Sequence, residues 1–178
     1  MTRRLGWAAL AVVMGCLAWV SRLGTRWPSI YVMTGSSMEP TVRAREYFLA
    51  WGPLAELRRG DLVIFVYDDE DGVFHVLRRL VGVPGDTVAM RRGAVLVNGG
   101  AASWPHRIIN PAARQSLMAR EHDLYDWGPW LVPADSVLLL ADTRDMLGWP
   151  DSRFLGFIPR DRLVARATRT LHGRRLQD

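Results

Sequence analysis

The chain has 178 residues, 49% apolar and 23% charged, a composition that supports one domain with its own core and excludes a disordered chain. Its formal net charge of +5 permits an acidic partner. The arginines, however, fall in scattered pairs (Arg58-Arg59, Arg78-Arg79, Arg91-Arg92, Arg174-Arg175), which reads as solvated faces first and attraction to membrane lipid second; no nucleic-acid partner is expected.

In chain order, the first element is the uncharged run Leu5–Ser21, bracketed by Arg3-Arg4 and Arg22. As a helix it spans roughly 25 Å, the low end for crossing a bilayer. Trp7 and Trp19 sit near its ends, where interfacial aromatics belong. A single transmembrane anchor over residues 1–26 is the preferred reading. A cleaved secretory signal and a lipoprotein-type site at Cys16 are the alternatives. Cys16 is the one cysteine, so no intramolecular disulfide and no thiol-based metal site is expected. Charge is balanced across the run and does not orient it.

Residues 27–178 read as one mainly β domain. Short apolar runs punctuated by Gly, Pro and Asp predict strands at Tyr47–Trp51, Asp61–Tyr67, Val73–Val83, Thr87–Met90, Ala94–Val97, Ser136–Ala141 and Leu163–Thr170. Asp68-Asp69-Glu70-Asp71-Gly72 predicts a hairpin turn and Asn98-Gly99 another. A less regular region at about 99–133, with a short helix near Pro111 to Glu121, reads as an insertion in the β core. His106 and His122 fall there without a cysteine or carboxylate spacing that would make a metal site, so no metal and no cofactor is expected.

The chemistry concentrates in four stretches. The first is Met33-Thr34-Gly35-Ser36-Ser37-Met38-Glu39-Pro40-Thr41, a small-residue loop with two adjacent hydroxyls. A serine between Gly and Pro is more often a turn serine than a nucleophile. Arg59-Gly60-Asp61-Leu62-Val63-Ile64-Phe65 follows, then Arg78-Arg79-Leu80-Val81-Gly82-Val83-Pro84-Gly85-Asp86. Last come Asp142-Thr143-Arg144-Asp145 and Asp151-Ser152-Arg153-Phe154-Leu155-Gly156. In this order, behind an apolar N-terminal run, they resemble the boxes of the type I signal peptidases, which hydrolyse amides with a Ser-Lys dyad.

The resemblance implies a signal-peptidase-like β catalytic core. It makes Ser37 the nucleophile and its own N–H an oxyanion donor, with Gly35 where some relatives carry a second, hydroxyl donor. Asp142, Arg144, Asp145, Asp151 and Arg153 become bracing residues. The substrates implied are exported preproteins, cut after small residues by a single-pass membrane protein whose catalytic domain faces the extracytoplasmic side.

The departure is at the base. All 23 basic residues are arginine, and the position matching the family's lysine is Arg78. With an ordinary pKa of roughly 12.5 to 13.8, a guanidinium cannot serve as a general base at neutral pH. His75, three residues earlier, has suitable acidity and is the alternative base; on a regular strand it points to the opposite face, so it reaches Ser37 only through a β-bulge or another register. Met146-Leu147-Gly148-Trp149-Pro150 also replaces the shorter family segment whose serine orients the lysine. Two functions are therefore carried forward: a serine endopeptidase of this type, and a catalytically impaired relative acting as an export or assembly factor.

Overall fold

A computed structural model describes residues 28–52, 54, 56–108, 125–144 and 150–176. The expected anchor at 1–26, the helix expected near Pro111 to Glu121, His122, Asp145 and the stretch from Met146 to Trp149 lie outside the described residues. Among the described residues, no helix is long and apolar enough to cross a membrane.

The fold is mainly β. The strands are β1 (Ser29–Val32), β2 (Tyr47–Trp51), β3 (Leu62–Asp69), β4 (Gly72–Gly82), β5 (Thr87–Arg91) and β6 (Ala94–Val97). They continue as β7 (Gly100–Ala101), β8 (Trp127–Leu131), β9 (Ser136–Leu140), β10 (Ile158–Pro159) and β11 (Leu163–Thr170). A one-turn helix, α1 (Ser152–Leu155), lies between β9 and β10. Every expected strand is present, with ends moved by a residue or two. Both expected turns form: Asp69 pairs with Gly72 across the β3–β4 hairpin, and Asn98-Gly99, at φ 51° and 82°, joins β6 to β7. Two successive positive φ values are what a two-residue hairpin needs to match strand twist.

β1, β7, β8 and β10 were not expected from the sequence. β7 and β10 are two residues each, too short for a periodic signal. β8 contains Gly128-Pro129, which reads as a breaker. It is tolerated because β8 pairs on one side only, at the end of the sheet β7-β6-β5-β8. At Gly128, φ is 77° and a Cβ would lie 2.6 Å from the Val88 carbonyl oxygen, so glycine is required there. The described parts of the 99–133 region thus supply the two outer strands of this smaller sheet, around β5 and β6.

The larger sheet has seven strands in the order β1-β2-β11-β3-β4-β9-β10. Its central strands are apolar on both faces, as strands covered on both sides must be. Leu62 and Ile64 of β3 join Phe48, Ala50, Leu77 and Ala167 in one core, which also takes in Met33, Met38 and Val42. The alternate residues Val63 and Phe65 pack with Val76, Leu80, Val137, Leu139 and Ile158 in another. A third core (Val81, Val88, Met90, Val95, Trp127, Val132, Leu138, Leu140) fastens the small sheet to β4 and β9. The contact is tight at Gly82, where a Cβ would meet Val88 and Val132 methyls at 2.7 and 2.9 Å. The consequence for the site is direct. Burying Met38 and Val42, both 0% exposed, pins the loop that carries Ser37 onto the sheet.

Candidate active site

Ser37 sits in a turn closed by the Glu39 N–H donating to the Ser36 carbonyl at 3.1 Å and the Val42 N–H donating to Met38 at 2.9 Å. A second segment clamps this turn from outside. The Thr143 N–H donates to the Ser37 carbonyl at 2.9 Å, and the Thr143 hydroxyl donates to the carbonyls of Ser36 (2.7 Å) and Glu39 (3.1 Å). Ser37 is buried, yet it shares the lining of an apolar pocket of about 310 Å³ with Gly35, His75 and Arg78. Two stretches, Tyr31–Gly35 and Phe74–Arg78, both line it. Among the described residues, nothing accepts a hydrogen bond from the Ser37 backbone N–H.

Arg78 reaches Ser37. Its Nη1 donates to the Ser37 Oγ at 3.2 Å and to the Leu77 carbonyl at 2.6 Å, and its Nε donates to the Pro150 carbonyl at 3.0 Å. The side chain is 1% exposed. Burial pushes its pKa down to about 10, against the opposing pull of Asp151. A group titrating near 10 is still a cation at neutral pH, so Arg78 gives a hydrogen bond to Ser37 and cannot take its proton.

Around this contact lies a buried ionic cluster. Arg79 Nε and Nη2 grip the two oxygens of Asp142 at 2.8 and 2.7 Å, and Nη2 also donates to the Thr41 hydroxyl at 2.9 Å. The Thr41 hydroxyl donates in turn to Asp142. Asp151 holds Arg153 through Nη2 at 2.7 Å and caps α1 by accepting from the Arg153 N–H at 3.0 Å. It also accepts from the Ala141 N–H at 3.0 Å. Burial works to raise the Asp151 pKa, but the Arg153 guanidinium beside it holds it below the ordinary value. Arg144 is 2% exposed and donates to the Ala141 carbonyl at 2.7 Å. Burial, and then repulsion from Arg153, pushes its pKa down to about 10.

The expected bracing set therefore divides. Asp151 and Arg153 pair with each other; Asp142 pairs with Arg79, not Arg144; Arg144 is held by backbone carbonyl. Arg79, Thr41 and Thr143 were missed. Arg79 had a signal, since it adjoins the base position, but a neighbour of the base reads as a flank until its partner 63 residues away is known. Thr41 and Thr143 carried none.

His75 stays apart. It is exposed, its ring edge-on to Tyr31 at 5.8 Å. Its Cα lies about 10 Å along β4 from that of Arg78 at the rise of an extended strand. Among the described residues, no hydrogen bond joins it to Ser37. Accordingly His75→Ala leaves kcat/KM for a peptide substrate within about twofold of wild type. A loss of a hundredfold would make the imidazole the missing base. A Cβ at Gly35 would meet nothing within 4 Å, so the position has room for a side chain but supplies none.

A family model described as "Signal peptidase, peptidase S26" matches residues 4–171. Signal peptidase I S of Bacillus subtilis is 32% identical over 143 residues, covering 79% of this chain and 74% of that protein. A probable signal peptidase I-2 of Synechocystis is 34% identical over 139 residues, covering 74% of this chain but only 57% of that longer protein. A solved signal peptidase I from Enterococcus faecalis V583 is 22% identical with a TM-score of 0.44, covering 62% of this chain and 96% of that one.

Proposed function

Since the chain belongs to the signal peptidase, peptidase S26, family, we propose that it is a signal peptidase I-type serine endopeptidase whose chemistry is slow at neutral pH. The observation that carries this reading is the Arg78 Nη1 to Ser37 Oγ contact of 3.2 Å at the pocket wall. A preprotein segment lies as an added strand between Tyr31–Gly35 and Phe74–Arg78, with a small side chain in the pocket. Ser37 Oγ attacks the scissile carbonyl, and the Ser37 N–H receives the developing oxyanion. Asp142, Arg144, Asp145, Asp151 and Arg153 brace the site. Arg78 helps an alkoxide form by its charge, but the proton must leave to solvent. Residues 1–26 anchor the protein in the cell membrane, and the domain works on the extracytoplasmic side.

A second reading has the same contact behind it. A permanent cation on the nucleophile disables a Ser-Lys site, and the protein then acts as a non-catalytic export or assembly factor that binds preproteins.

Cleavage of a signal-peptide substrate by wild type and Ser37→Ala, from pH 6 to 10, separates the two. The expected wild-type rate rises steeply toward pH 10, because hydroxide, which can take the proton that Ser37 loses, grows about tenfold per pH unit. Ser37→Ala gives no cleavage. Activity surviving in Ser37→Ala sinks the serine mechanism; binding without cleavage at every pH selects the non-catalytic reading.

A further inference from the structure

Among the described residues, the buried cluster holds four arginines and two carboxylates. Arg79 is paired with Asp142 and Arg153 with Asp151, but Arg78 and Arg144 face only neutral acceptors in their described hydrogen bonds. Arg78 Nη2 and Arg144 Nε, both buried, have no hydrogen-bond partner among the described residues. Asp151 and Asp142 attract both cations without hydrogen-bonding to them among the described residues; a buried cation with no counter-charge in contact is costly, and an anion that binds there relieves the cost. Burial pulling both guanidinium pKa values down to about 10 is the same cost seen from the proton's side. Of the two, Arg78 lines the pocket, so an anion entering it meets Arg78 beside Ser37.

The pocket selects among anions. Its wall is mostly apolar, with Met33, Phe48, Ile64 and Leu77, and it runs beside the end of β1 and part of β4, a setting for a peptide and not for a bare inorganic ion. Within a peptide, the group that comes to lie on Ser37 Oγ is a main-chain carbonyl. After cleavage that group is a carboxylate. A neutral amine at the base position would let it go, whereas the guanidinium, held on Ser37 Oγ through Nη1, is a fixed charge that attracts a carboxylate arriving there.

We infer that Ser37 and Arg78 form a binding site for the free C-terminal carboxylate of a peptide seated in the pocket, the end that cleavage gives to a released signal peptide. This rests on the proposed reading of the pocket as a peptide cleft. The protein then holds its product more tightly than an uncharged substrate of the same sequence.

The test is titration of the full chain with two synthetic peptides ending in the same small residue, one as the free acid and one as the amide, at neutral pH. The acid binds roughly tenfold tighter or more, the range for a hydrogen bond to a charged group, and Arg78→Gln removes the difference. Acetate at matched concentration does not compete. Equal binding of acid and amide by wild type overturns the inference while leaving the cleft intact, and that comparison does not depend on the variant folding. Competition by acetate equal to that of the acid peptide reassigns the site to a small anion and overturns it as well. If neither peptide binds and an uncleaved signal-peptide segment does not bind either, the cleft reading falls with it.

Discussion

Arg78→Lys raises kcat/KM for a signal-peptide substrate at neutral pH by about 10²-fold or more, the lower end of what a positioned general base supplies. The strand, the register and the burial are already in place: Arg78 pairs with Val63 of β3 and is 1% exposed. The environment that pulls the guanidinium down to about 10 acts on an ammonium in the same sense. Burial there lowers a lysine's pKa from its ordinary value and so raises its neutral fraction at pH 7. Lysine is one atom shorter, so its nitrogen falls close to where the guanidinium carbon stands, within reach of Ser37 Oγ after small torsional changes. The gain stays below the upper limit because the Pro150 carbonyl, which now orients Arg78 through a 3.0 Å hydrogen bond, is a poorer guide than the hydroxyl that the family resemblance puts there. A correctly folded Arg78→Lys variant with no gain between pH 7 and 9 would show that the base is not what limits this site.

Asp151→Ala costs about 3–5 kcal/mol of folding stability at pH 7, read from urea unfolding. Asp151 is 0% exposed and does three things at once: it neutralises Arg153, caps α1 and accepts the Ala141 N–H that ends β9. Truncation leaves Arg153 buried without its paired carboxylate and also takes away the charge that attracts Arg78 and Arg144. Asp151→Asn loses less, since an amide oxygen still caps the helix and meets the Ala141 N–H. The pH dependence follows from the direction of the shift. The folded carboxyl titrates below its unfolded value, so its stabilisation is complete above about pH 4 and disappears as pH falls through the lowered folded value. The wild-type and Asp151→Ala unfolding curves therefore converge in acid. A difference under about 1 kcal/mol at pH 7 would remove Asp151 from the bracing role.

Where local chemistry decides an outcome, the residues alone were enough. The β3–β4 hairpin could be read because apolar runs flank a polar loop ending in glycine. The Asn98-Gly99 turn could be read because few residues accept positive φ. The absence of lysine could be read directly, because all the basic residues are arginine, and no fold can make a guanidinium into an amine. What depends on partners far apart in sequence could not be read. β11 inserts between β2 and β3, placing strands more than a hundred residues apart side by side. β8 forms across a Gly-Pro pair because an edge position asks for hydrogen bonds on one side only.

The site divides along the same line. The sequence singled out Ser37, Arg78 and, among its four histidines, His75 as candidates. Only the tertiary structure decided that Arg78, and not His75, meets the serine, because that depends on where a loop pinned by Met38 and Val42 lies against β4. It also decided that Asp142 belongs to Arg79, and that two of the buried guanidiniums face only neutral hydrogen-bond acceptors among the described residues. Pairing between charges is a matter of distances through space, which set whether burial is offset or left standing, and the order of residues along the chain does not contain them.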